Sequence, residues 1–70
     1  MTPGDIIQLP SGRRARYEGG SEAGALFTYV DEQNQPRKHR GTPDTFCLRS
    51  MRLLTILNDQ VVNGKRGVDA

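Results

Sequence analysis

Residues 4–18 read GDIIQLPSGRRARYE, and the Pro10-Ser11-Gly12 triplet in their middle constrains the chain more than any other stretch. Proline presets a turn dihedral and glycine tolerates positive φ, so the triplet supplies the chemistry of a short hairpin turn. The flanks alternate as strands do. Ile7 and Leu9 share one face before the turn, Ala15 and Tyr17 continue a face after it, and Arg14 and Arg16 point the other way.

A second strand after the turn would end at Gly19-Gly20. GGSEAG, residues 19–24, has the composition of a mobile loop. ALFTYVD, residues 25–31, carries strong β propensity. Ala25, Phe27 and Tyr29 fall on one of its faces, Leu26, Thr28 and Val30 on the other. A strand apolar on both sides suits a covered barrel wall or a subunit interface. DEQNQP then forms a polar turn, and residues 37–40 a short, positively charged edge strand.

Residues 42–58 admit two readings. In the preferred one, FCL and LLTIL are two strands broken by a tight turn at Arg49-Ser50-Met51-Arg52. In the other, Thr42 caps a helix with Pro43 at its first position, over residues 43–57. Residues 58–70 read as a flexible tail. The expected core is Ile7, Leu9, Ala15, Phe27, Tyr29 or Val30, Phe46, Leu48, Leu53 and Ile56.

Seventy residues leave room for one domain and little for a deep catalytic cleft. Cys47 is the only cysteine and His39 the only histidine, so neither an internal disulfide nor a Cys/His zinc site can be assembled within one chain. A single unpaired cysteine suits a reducing compartment. With no signal-peptide layout and no apolar run of membrane-spanning length, the expectation is a cytoplasmic protein without membrane contact.

No nucleophile with a base, carboxylate pair or phosphate-cradling glycine loop is visible, so the expectation is a non-enzyme with no cofactor and no metal. His39 sits between Lys38 and Arg40 and reads as an exposed residue of a basic loop; Cys47 reads as a small buried hydrophobe. The net charge of +2 is slight, but the cations cluster: Arg13, Arg14 and Arg16 in one group, Arg37, Lys38 and Arg40 in another. Together with Tyr17, these are the candidate nucleic-acid-binding residues, arginine meeting phosphate and an exposed ring stacking on a base. The competing reading is a solvated charged face over a core that claims the aromatics. A protein partner is the alternative function, and a homodimer would cover paired apolar positions such as Ile6/Ile7 and Leu53/Leu54.

Residues 4–17 resemble the opening of small SH3-like barrels of the KOW type, in which a G-D-x-V-x-hydrophobic strand precedes a turn glycine and a G-x-x-G-x-V strand. Gly4-Asp5-Ile6-Ile7 and Leu9 match the first strand and Gly12 the turn glycine. Ala15 stands where the motif has a second glycine, and Tyr17 where it has a small aliphatic residue. SMRLLTIL is similar to the short 3₁₀ turn and last strand of such barrels. The resemblance implies an all-β fold of about five strands, a small SH3-like partly open barrel over residues 1–57. It also implies a binding module for RNA, DNA or protein, of a kind found in ribosomal proteins, transcription factors and short bacterial or phage chains.

Overall fold

The computed structural model describes residues 1–63. The first hairpin forms where the turn triplet requires it. Strand β1 (Ile6–Gln8) pairs antiparallel with β2 (Arg14–Ser21), Ile7 facing Ala15. The Leu9 amide donates to the Arg13 carbonyl and the Gly12 amide to the Leu9 carbonyl, with Gly12 at φ +92°. This is a three-residue loop closed by a left-handed glycine.

β2 continues further than its composition suggests. It pairs with β3 (Gly24–Val30) all the way to Ser21 opposite Gly24, leaving Glu22 and Ala23 as a two-residue turn. GGSEAG is therefore the end of one strand, a tight turn and the start of the next, rather than a mobile loop. A bulge between Tyr17 and Gly19 lets the ladder resume at Gly19–Leu26. At Gly24, φ is +123° and an added Cβ would lie 2.5 Å from the Leu48 carbonyl oxygen, so only glycine lets the two backbones approach.

After β3, residues 31–36 turn back with Asn34 at φ +63°, and the Asp31 carboxylate accepts from the Gln33 and Gln35 amides. Strands β4 (Lys38–His39) and β5 (Thr42–Pro43) form a separate ribbon, and β6 (Thr45–Leu48) pairs with β3. The main antiparallel sheet has the order β1-β2-β3-β6 and is not closed.

The two readings of residues 42–58 divide between strand and helix. FCL lies in β6, whereas LLTIL is helical, within α1 (Met51–Asn58). Ser50 decides the boundary: its backbone is extended and its hydroxyl accepts from the Leu53 amide as an N-cap. Thr42 and Pro43 start no helix; they form β5. The helix buries Leu57 and half-buries Leu54, while Leu53 and Ile56 are 46% and 49% exposed. Helical period removes those two from the expected core and puts Leu57 in their place.

Residues 60–63 do not trail away. The Gln8 amide donates to the Gln60 carbonyl, the Val62 amide to the Ile6 carbonyl, and the Ile6 amide to Asn63 Oδ1, with Val61 bridging Ile7. The remainder of the expected tail, residues 64–70, lies outside the described residues. Docking of this segment on the free edge of β1 accompanies full burial of both Ile6 and Ile7 in one chain, so that pair needs no second copy to cover it.

The core gathers Ile7, Ala15, Ala25, Phe27 and Leu57, with Leu9, Tyr17, Phe46, Leu48 and Leu54 packed around them. On the opposite face Thr28 and Val30 are also buried. The four aromatic residues form one row, in which Phe27 is buried and the others half-buried: Tyr17 to Phe27 at 5.4 Å, Phe27 stacked on Phe46 at 5.1 Å, and Phe46 to Tyr29 at 4.8 Å.

Candidate nucleic-acid interface

The pairing of Gln8 with Arg14 and of Arg14 with Val30 puts the first turn and the 31–36 turn at the same end of the sheet. The ribbon is rooted there too. The Tyr29 amide donates to the Asp44 carbonyl, the Arg37 amide to the Tyr29 carbonyl, and the Asp44 amide to the Arg37 carbonyl. Two arginine clusters separated in sequence thus share one end of the molecule.

Arg13 lies over the Tyr29 ring, its guanidinium carbon 3.9 Å from the centroid, and approaches the Asp44 carboxylate at 3.8 Å. It caps the aromatic row and is half-exposed. Arg14 and Arg37 line an open groove of about 500 Å³ with Gln8, Gly12, Asp31 and Glu32. Each is oriented through Nε: Arg14 donates to Gln8 Oε1 and Arg37 to the Val30 carbonyl, both at 3.3 Å. Fixing the guanidinium by Nε leaves the paired Nη groups to address a ligand, the geometry that suits a phosphate.

Two acidic residues temper the groove. Asp31 is committed to its own turn through the two amides that it accepts, whereas Glu32 is exposed. Lys38 and Arg40 stand exposed on the ribbon, with His39 between them.

Two of the candidate residues lie elsewhere. Arg16 sits further along β2 and donates through Nε to Glu18 at 2.9 Å, which neutralises it locally. Glu18 is held below the usual carboxylate range by a hydrogen bond with the Thr28 hydroxyl and by Arg16, against a burial effect that pushes it up. Tyr17 is half-buried in the aromatic row. No aromatic ring is therefore left as an exposed stacking platform, and base stacking drops out of the arrangement. What remains is a set of cations suited to phosphate.

Sequence reasoning grouped the cations by adjacency along the chain, and so included Arg16 and missed Gln8, which orients Arg14. The register signal was present: Gln8 is the last residue before the turn region on β1, directly across from Arg14. Cys47, expected to be buried, is exposed on the outer face of β6, where its Sγ lies 3.3 Å from the Ala23 carbonyl.

Among the described residues no group of three or more His, Cys, Asp or Glu side chains is placed to hold a metal ion, and no helix is long and apolar enough to cross a membrane. Compared with protein-family models, curated proteins and solved structures, the chain matches none.

Proposed function

We propose that the domain is a non-catalytic binding module that meets the phosphate backbone of a nucleic acid with one end of its sheet. The observation that carries this reading is the convergence of Arg14 and Arg37 on one groove, each oriented through Nε. Arg13, Lys38 and Arg40 extend the basic surface from the same end. Arg16 is left out because it lies further along β2 and is paired with Glu18 at 2.9 Å, closer than the 3.8 Å between Arg13 and Asp44, and Tyr17 because it is half-buried in the aromatic row. The small SH3-like barrel reading draws support from residues 60–63, which extend the sheet past β1 in the place that a last strand would take.

If three cations neutralise phosphates, log K should fall against log salt with a slope of about −2.7, a loss of roughly 40-fold between 50 and 200 mM salt. Fluorescence anisotropy with labelled 20-mer oligonucleotides measures that slope. The double variant Arg14→Ala/Arg37→Ala should bind weakly with a flattened slope, while Arg16→Ala should bind as the parent chain does. Absence of binding to any oligonucleotide at low salt would remove the reading.

One observation favours a second reading. Leu53 and Ile56 form an exposed apolar flank on one side of α1, which suits a protein partner. That surface lies on the helix rather than at the basic end, so the two readings call for different residues.

A further inference from the structure

The ribbon β4–β5 contains a backbone feature that its own stability does not explain. The pairs Lys38–Pro43 and His39–Thr42 leave a two-residue turn, Arg40-Gly41, with φ of +55° and +81°. Positive φ at both positions is the type I′ pattern, which asparagine or aspartate followed by glycine adopts at least cost. Arginine in the left-handed region is uncommon and strained. Gly41 is the expected residue for its position, whereas Arg40 is a poor choice for the fold and a long cation at the tip of an exposed ribbon.

We infer that the β4–β5 ribbon is an arm that places Arg40 in the minor groove of double-stranded, B-form DNA while Arg14 and Arg37 hold the adjoining phosphates. The inference rests on the phosphate-binding reading above and names its partner class. Three observations carry it beyond that reading. First, the four aromatic rings pack on one another, Phe27 buried and the other three half-buried with Arg13 over Tyr29, so none is presented as the exposed stacking platform that single-strand binders use. Second, the tip is narrow. The strands of a ribbon lie about 4.8 Å apart, and Gly41 adds no side chain, so one guanidinium leads. A minor groove about 6 Å wide concentrates negative potential that attracts such an arginine.

Third, the spacing fits. Arg37 and Arg40 are three extended residues apart, about 10 Å along the chain, which allows one to stay on the phosphate wall while the other enters the groove. Lys38 and His39 are exposed on the intervening strand, one on each face of the ribbon. The wide, shallow minor groove of an RNA duplex offers a single leading arginine less, so DNA is the favoured duplex.

The test pairs a binding measurement with a stability measurement on Arg40→Asn. Asparagine relieves the turn and removes the cation, so the variant should unfold about 4 °C higher than the parent chain. It should also bind a 20-bp A·T-rich DNA duplex about ten-fold more weakly. The parent chain should prefer that duplex over a G·C-rich DNA duplex, an RNA duplex and the separated strands. If Arg40→Asn binds the A·T-rich duplex as the parent does while Arg14→Ala/Arg37→Ala does not, the arm is refuted and the phosphate reading stands. If single strands or RNA duplex bind as well as the DNA duplex, the choice of partner is refuted. If no oligonucleotide binds the parent chain at low salt, both fail together. A lower unfolding temperature for Arg40→Asn would refute the claim that arginine is costly in this turn.

Discussion

Replacing Gly24 by alanine tests how closely the β2–β3 turn is packed against β6. Two costs combine at this position. At φ +123° an L residue is strained, which costs about 1–3 kcal/mol. The new Cβ would also lie 2.5 Å from the Leu48 carbonyl oxygen, 3.0 Å from Arg49 Cγ and 3.1 Å from Cys47 Sγ. The flexible Arg49 chain can swing away at small cost, but the Leu48 carbonyl belongs to β6 and moves only if the strand does. Forced overpacking of this kind costs about 1–3 kcal/mol. Together they come to about 2–6 kcal/mol, against a total stability of about 4–10 kcal/mol for a chain of this size.

Gly12→Ala is the control. Gly12 also has a positive φ, +92°, but nothing lies within 4 Å of its added Cβ, so only the backbone term of about 1–3 kcal/mol applies. For a domain of this length 1 kcal/mol shifts the unfolding midpoint by about 4–8 °C, so the overpacking cost of about 1–3 kcal/mol should lower Gly24→Ala by at least about 4 °C more than Gly12→Ala. Thermal unfolding followed by circular dichroism gives both values. Equal shifts for the two variants would refute the close approach of the turn to β6, leaving only the backbone term at each glycine.

Three further outcomes follow from the packing and the charges. Because Glu18 is held below its ordinary value near 4.5, it contributes stability that is present above that pH and lost as the pH falls through the lower folded value. Chemical denaturation between pH 3 and 7 should therefore show a decline toward acid that Glu18→Gln reduces. Leu57→Ala should cost about 2–5 kcal/mol, whereas Leu53→Ala, on the exposed side of α1, should stay within about 1 kcal/mol of the parent. Ser50→Ala should cost about 1 kcal/mol through loss of the N-cap to the Leu53 amide. Urea unfolding measures all three variants.

The first hairpin was legible because its turn chemistry and its alternation point to the same register, and Ile7, Ala15 and Phe27 are buried as expected. GGSEAG misled because glycine has two meanings. Composition alone reads it as slack, whereas Gly19 resumes the ladder after a bulge and Gly24 permits a close backbone approach. LLTIL was ambiguous because a compact apolar run satisfies either period; the deciding contact is local, Ser50 to the Leu53 amide, but its weight depends on β6 ending beforehand. The ribbon turn was hidden because Arg40 is not a residue that signals a type I′ turn. The basic end was half legible. Adjacency found Arg13, Arg14, Arg37, Lys38 and Arg40, but only the register separates them from Arg16, whose charge Glu18 neutralises.

Backbone amide chemical-shift mapping during titration with an A·T-rich DNA duplex locates the binding surface residue by residue. If the basic end meets DNA, shifts concentrate at residues 12–14 and 31–41, with α1 and the β2–β3 turn unmoved. Shifts centred instead on Leu53 and Ile56, or spread evenly without saturation, would contradict it.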